Sequence, residues 1–428
     1  MLSSVAPRTR SHAHKNAMKA LLEYALRKAG NRSPVSFRVE FSDGTAVQTR
    51  QSEPVFSVRF KTRGAQWRSA VFGHIGMLDS YFDQSVDIDG DFRRALAVGM
   101  ESGYDTVTHP LVRLRNRWHE LLRSNDSRSR AKDNARFHYG LGADFYRLWL
   151  DDPLMMYTCA YWKEGTRDLE EAQRNKIDHV CGKLRLQPGE SVVDIGCGFG
   201  GFMFRAMERF GVRVTGVNTT TEQVEWLRAQ VRQRGLEDRL QVVEADFREV
   251  HAQYDKVVSI GTLEHAGRDQ VAGVVRAHAD FLKPGGLGLL HFIGHVGRSD
   301  TELFIRENVF PGGWIPSLAE VIVAMEDCGL EIIDIENLRR HYALTLDAWA
   351  ERFDRNWDRI HGLDPRRFDE RFRRVWRTYL YACAELFRMP NGYTHLFQIV
   401  FSKGNITDSS YPMSRAFLYE PGGVRLPS

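Results

Sequence analysis

A chain of 428 residues exceeds one ordinary domain, so two are expected, with material for a substantial core. Hydrophobic residues at 43%, charged residues at 27% and a net charge of +4 exclude a disordered polymer and describe an ordinary soluble globular protein. No apolar run approaches the roughly 18 residues of a membrane span, and the first residues lack the apolar core of a secretory leader. The five cysteines, scattered and without a CxxC pair, exclude a disulfide framework and fit a reducing cytoplasm.

In chain order, Met18, Leu21, Leu22 and Ala25 share one face of a predicted helix whose other side carries Lys15, Lys19 and Lys28. "SFRVEFSDGTAV" alternates Phe37, Val39 and Phe41 with polar residues before an Asp43-Gly44 turn, a hairpin signal. "VFSVRF" repeats the alternation with Phe56, Val58 and Phe60. Residues 1–123 carry no catalytic constellation and are expected to form an accessory α+β domain, with a surface open to lipid or membrane. The polar, Ser- and Arg-rich stretch 124–134 reads as a linker, leaving 135–428 as the catalytic domain. Two basic runs stand out, one over 113–136 and one formed by Arg366, Arg367, Arg371, Arg373, Arg374 and Arg377. Such runs are usually solvated surface; the alternative is attraction to an anionic membrane or to nucleic acid.

From about residue 190, short apolar strands alternate with helices, which implies an α/β fold with a parallel sheet covered on both faces. "SVVDIG", "VRVTGV", "LQVVEAD", "YDKVVSIG" and "LGLLHFIG" are the strands, with Lys283-Pro284-Gly285-Gly286 as a turn feeding the fifth. "EIIDIENL" follows, then a helical stretch over 343–388, and "HLFQIVFSKG" is expected to close the sheet as an antiparallel edge strand. After the first strand comes "DIGCGFGG", with Asp194, Gly196, Gly198 and Gly200. Neither the dinucleotide spacing nor a phosphate-loop Lys-Ser/Thr is present. A carboxylate ahead of glycines repels pyrophosphate and suits a ligand with a positive centre or an amino group. The loop resembles that of S-adenosylmethionine methyltransferases, which implies a Rossmann-like class I methyltransferase sheet.

The motifs "FHYGLGADFYRLWLDDPLMMYTCAYW", "VSIGTLEHAG", "LLHFIG", "NVFPGGWIPS" and "HYALTLDAW", in that order with the glycine loop, resemble the cyclopropane-fatty-acid synthase family, including the mycolic-acid cyclopropane synthases. The resemblance runs from about 133 to 404, and weakly through the N-terminal domain. It implies transfer of a methyl(ene) group from S-adenosylmethionine to the double bond of an unsaturated phospholipid acyl chain, through a carbocation that a base then deprotonates. It implies that this base is bicarbonate, held at Cys159, Glu264, His291, Ile293 and Tyr342. It places the donor against Tyr157, Thr158, Gly196, Gly198, Gln223 and the Asp246-Phe247 pair. The second strand ends in Asn218 where such enzymes usually carry an acid, and an amide can still bond a ribose hydroxyl.

Taken singly, these residues have plainer readings: Cys159 and Tyr342 as packing, His291 as a core histidine, Trp314 as core or acyl-chain wall. Glu264-His265 does not match a metal-ligand pattern, so no metal is expected. Beside the base, "GTLEHAG" has Leu263 and Ala266 where the family commonly has Phe and Val. That leaves methylene- or methyl-branched products open beside the ring, a methyl branch requiring a reductase partner. A small-molecule natural-product methyltransferase shares the donor fold but has no need of "YTCAYW". A nucleic-acid methyltransferase would show an N/D-P-P-Y/F tetrapeptide, which is absent, so no nucleic-acid partner is expected. A lipid carrier without catalysis is the non-enzymatic alternative. Reaching a bilayer without an anchor implies a peripheral enzyme at the inner face of the membrane, and relatives of this kind are often homodimers.

Overall fold

The computed structural model describes residues 10–103, 110–125, 130, 134, 140–297 and 299–419. The proposed linker at 126–129 and 131–133, "FHY" of the first motif, and the side chains of Lys15, Met18 and Leu21 lie outside the described residues. The chain divides into two compact units, one of residues up to Trp118 plus Asp364–Glu385, the other His119–Leu363 plus Leu386 onward.

The first unit is built on a four-stranded sheet of β1 (Phe37–Glu40), β2 (Ala46–Gln48), β3 (Phe56–Phe60) and β4 (Val86–Gly90). Its order is β2-β1-β3-β4. The alternating Phe37, Val39, Phe41, Phe56, Val58 and Phe60 all turn to the core, joined by Leu22 of the helix Arg10–Arg32. β1 and β3 pair in parallel, in register Phe37 to Phe56, and those two rings stack 5.0 Å apart. Local alternation alone leaves that direction undecided.

Of the arginine run 366–377, Arg366, Arg367 and Arg371 are exposed surface as expected, whereas Arg374 is not, and the run belongs to the first unit. Arg374 is mostly buried: its guanidinium bonds Asp87 at 3.0 Å, Glu370 at 2.9 Å and the carbonyls of Tyr81 and Val86. Arg93 pairs with Glu385 at 2.6 Å in the same unit. Carboxylates and the carbonyls of Tyr81 and Val86 thus recapture a segment distant in sequence. The helical stretch expected over 343–388 is correspondingly three helices, Arg339–Arg355, Trp357–Leu363 and Glu370–Arg388. Asp364-Pro365 intervenes because proline cannot continue a hydrogen-bonded turn.

The second unit holds a seven-stranded sheet: β5 (Ser191–Ile195), β6 (Arg213–Asn218), β7 (Leu240–Glu244), β8 (Tyr254–Ile260), β9 (Leu282–His295), β10 (Leu330–Asn337) and β11 (Thr394–Lys403). The order is β10-β11-β9-β8-β5-β6-β7, with β5 to β9 parallel and β11 antiparallel to both neighbours. β11 is therefore an interior strand, which corrects the edge assignment. Eight of its ten residues are buried, as its nearly unbroken apolar run requires of a strand covered on both faces. The Lys283–Gly286 turn lies inside β9 as a bulge: Leu282 pairs with Tyr254, and the next pair is Lys256 with Leu287.

Candidate functional site

A cavity opens at the carboxyl ends of β5, β6 and β8, where strand order reverses and ligands bind in open α/β sheets. Tyr157, Thr158, Asp194, Gly196, Gly198, Asn218, Gln223, Asp246 and Phe247 all line it. Gly200, expected to bind the donor, does not. It sits at φ +79° as the cap of the helix Gly201–Phe210, and an added Cβ would lie 2.4 Å from Leu227. Gly200 therefore serves close packing against the next helix. Gly196 has φ +77°, and a Cβ there would lie 2.2 Å from the hydroxyl of Thr262, itself a lining residue that donates to the carbonyl of Ile195. The floor of the cavity is thus backbone, open to close approach.

The polar lining is largely pre-ordered. Asn218 donates to Gln223 at 3.0 Å and accepts from the backbone N–H of Thr220. Arg248 grips both oxygens of Asp246, at 2.7 and 2.6 Å, so Asp246 has to share its carboxylate with any further donor. Asp194 is buried at the tip of β5, and burial pushes its carboxyl up to about 7, with Lys176 pulling the other way. A cationic or amino group in the cavity would relieve that penalty. The backbone floor, the buried acid and the paired amides fit an aminoacyl-nucleoside ligand.

None of Glu264, His291, Cys159, Ile293 and Tyr342 lines the cavity. Glu264 is on the loop after β8, between lining residues Thr262 and His265. One carboxylate oxygen, Oε1, accepts the backbone N–H of Ile293 at 2.6 Å, while Oε2 is buried with no hydrogen-bond partner. Burial pushes this carboxyl up to about 7 against the effect of the Ile293 bond. His291, two residues before Ile293 on β9, is 1% exposed, and burial holds its imidazole neutral. Its Nε2 is likewise buried without a partner.

Cys159 is fully buried, with Sγ against the carbonyl of Ala160, and burial drives its thiol far above the usual range. That makes it a wall or a weak donor rather than a nucleophile. The N–H of Ala160 donates to Thr345, one turn along from Tyr342 on the helix Arg339–Arg355. Between the two groups stands Lys176, fully buried, donating to Thr158 at 2.9 Å. Its ammonium influences Cys159, Asp194 and His291 alike, which ties donor cavity and buried set into one electrostatic unit.

An aromatic cluster completes the surroundings. Tyr157 lies 5.5 Å from Tyr146, 5.1 Å from Trp149 and 5.2 Å from Trp349, centroid to centroid. Trp349 lies 6.0 Å from Tyr342, which lies 4.7 Å from Phe387. Ring faces of this kind stabilise adjacent positive charge. Trp314 belongs to the core, with Arg268 and Arg306 near its ring. Leu263 is buried in that core, whereas Ala266 faces the cavity.

Several lining or supporting residues escaped the sequence reading: Asn125, Thr262, Gln270, Lys176, Lys183 and Gln398. A signal existed for the lysines. Gln173, Lys176, Val180 and Lys183 recur at helical spacing on the buried face of Leu169–Lys183, where a cation must have a purpose. Asn125 bonds the carbonyl of His265 from 140 residues away, which no local pattern announces.

The family model described as mycolic acid cyclopropane synthetase matches residues 126–399. A cyclopropane-fatty-acyl-phospholipid synthase of Escherichia coli (strain K12) is 35% identical over 336 residues, 78% of this chain and 84% of that one. A "Probable fatty acid methyltransferase" of Pseudomonas putida is 34% identical over 333 residues, 76% of this chain and 81% of that one. A solved mycolic acid cyclopropane synthase, CmaA1 complexed with SAH and CTAB, superposes with a TM-score of 0.59 at 32% identity, covering 64% of this chain and 98% of that one.

Proposed function

Since the chain belongs to the mycolic acid cyclopropane synthetase family and is an S-adenosylmethionine-dependent methyltransferase, we propose that its product is a cyclopropane ring on an unsaturated phospholipid acyl chain. The observation that carries this reading is two buried polar atoms without hydrogen-bond partners, Glu264 Oε2, on the loop between lining residues Thr262 and His265, and His291 Nε2, on β9 opposite lining residue Ile260. A buried donor and a buried acceptor left open together cost several kcal/mol unless a small polar guest joins them. Bicarbonate, a planar anion carrying one proton, matches that demand: when bound, it would be held by His291 donating to it and Glu264 accepting from it.

The donor supplies an electrophilic methyl on a sulfonium, and bicarbonate, when bound, supplies a base for the proton released on ring closure. The residues do the rest. Asp194, Gly196, Gly198, Asn218 and Gln223 hold and orient the donor, with Asp246 and Phe247 at its adenine end. Positioning of this kind can supply roughly 7–11 kcal/mol of a barrier. Tyr157 lines the cavity and packs against Trp349, which neighbours Tyr342, an aromatic wall suited to stabilising a nearby cation and excluding water. Glu264 and His291, with Cys159, Tyr342 and the backbone at Ile293, hold the base in place. Ala266 on the cavity side of the Glu264 loop leaves more room than valine would; a cation moved by hydride shift to the methyl-bearing carbon, and then losing a proton from that methyl, would give a methylene branch, which a reductase would make a methyl branch.

For access to lipid, the helix Pro110–Arg123 is suited to an anionic bilayer surface. Leu114, Trp118, Leu121 and Leu122 are half or more exposed, and Arg113, Arg117 and Arg123 lie beside them. Among the described residues no helix is long and apolar enough to cross a membrane. A homodimer at the inner face of the membrane fits this reading.

The test is mass spectrometry of lipids from a host expressing the chain and fed methyl-deuterated methionine. Acyl chains heavier by CD2 that resist mild hydrogenation support the ring. A CD2 product that takes up hydrogen replaces it with a methylene branch. Intact donor binding without any labelled acyl chain refutes the lipid reading and favours a small-molecule acceptor.

A further inference from the structure

His291 has two ring nitrogens, and only one of them faces the unpartnered space. The other, Nδ1, lies 3.1 Å from Nε2 of Gln398 on β11. The carbonyl oxygen of that same amide accepts from Lys183 Nζ at 3.0 Å. Lys183 also donates to Glu336 on β10 at 2.6 Å, and His179 lies 2.7 Å from the same carboxylate oxygen. Glu336, Gln398 and His291 are successive register partners across β10, β11 and β9, so the sheet sets them in one row. Lys183, the last residue of its helix and fully buried, stands over that row.

The row has a direction. An ammonium has donors only, so Lys183 must face the amide oxygen, which turns the amide NH2 toward His291. Reversing the amide would set NH2 against NH3+. With an N–H donor aimed at it, Nδ1 must accept and cannot carry the proton. We propose that Glu336, Lys183 and Gln398 are positioning residues that lock the His291 proton onto Nε2, presenting a fixed donor to the anion shared with Glu264. None of the three lines the donor cavity. The interior antiparallel position of β11 acquires a use here, because it delivers Gln398 between the anchored Glu336 and the working histidine.

The donor role rests on the proposed function; the proton's location does not. The experiment is two-bond proton–nitrogen correlation NMR on the full chain with 15N-labelled histidine. The His291 signal is identified among 15 histidines by its loss in His291→Asn. The expected pattern is a neutral ring protonated at Nε2. Gln398→Glu puts an acceptor at Nδ1, so the pattern should change to a neutral ring protonated at Nδ1. Sodium bicarbonate should shift the Nε2 resonance of the natural chain and not that of Gln398→Glu. With lipid, kcat of Gln398→Glu should fall roughly 10²-fold or more, while KM and S-adenosylhomocysteine affinity hold. An Nδ1–H or charged ring in the natural chain overturns the lock, as does an unchanged pattern in a folded Gln398→Glu. Should Gln398→Glu not fold, the pattern of the natural chain still decides. An Nε2–H ring in a chain that makes no labelled acyl product upholds the lock and rejects the lipid reading, so the two failures separate.

Discussion

Replacing Glu264 by glutamine should inactivate the protein and, above neutral pH, stabilise it. The glutamine oxygen can still accept from the N–H of Ile293, so that hydrogen bond is kept. What disappears is a carboxyl that burial raises from 4.5 to about 7. A raised carboxyl favours the folded state while protonated: that contribution is complete below pH 4.5 and is lost as pH climbs through about 7. At about 1.4 kcal/mol per pH unit, the difference comes to about 3 kcal/mol. Asp194 and Asp151 are also raised to about 7 and titrate in the same window, so the informative quantity is the difference between natural chain and variant, in which they cancel. Urea unfolding at pH 5, 6, 7 and 8, without donor or bicarbonate, measures it. The variant should gain on the natural chain steadily from pH 5 to about 7 and then run parallel to it. Acyl methylation should fall by 10²-fold or more, the usual share of a proton-handling group. Equal pH slopes for the two proteins would refute the assignment of a buried, proton-sharing carboxyl to Glu264.

Gly196→Ala, with its Cβ 2.2 Å from Thr262 and φ at +77°, should cost the fold about 1–2 kcal/mol in backbone strain and abolish S-adenosylhomocysteine binding; calorimetric titration at natural affinity would contradict the backbone-floor account. Lys176→Met leaves Asp151 and Asp194 without their buried cation, so the variant should remain folded near pH 6, where both carboxyls are protonated, and lose about 3–5 kcal/mol by pH 8; paired unfolding curves at the two pH values check the sign. Arg374→Met should release the Glu370–Arg388 helix from Asp87 and the carbonyls of Tyr81 and Val86, seen as faster proteolysis near residue 370, with donor affinity unchanged. Trp118→Ser combined with Leu121→Ser should weaken binding to anionic vesicles by roughly tenfold per large side chain, and 0.5 M salt should release the natural chain; indifference to both would remove the helix Pro110–Arg123 from the membrane proposal.

The strands β5 to β9, the glycine loop and nine of the residues that line the cavity were legible in the sequence. Their causes are local: an apolar run makes a buried strand, a glycine takes a positive φ, and a βα turn lies at the carboxyl end of its strand. The same locality explains what was misread. β11 looked like an edge because it comes last in the chain, although its run of apolar residues already described a strand buried on both faces. Arg374 looked like solvated surface because Asp87 and the carbonyls of Tyr81 and Val86 are almost 300 residues away. Gly200 shares its motif with Gly196 and Gly198, yet only the packing of Leu227 shows that it serves the helix and not the ligand. The motif order identified Glu264 and His291, whereas which nitrogen of His291 carries the proton depends on Lys183 and Gln398. Those groups meet only through sheet register and helix docking. Residue types and short spacings determine which chemistry is available to this chain. Tertiary structure decides which atoms are left open to perform it, because burial and partnership belong to the fold as a whole.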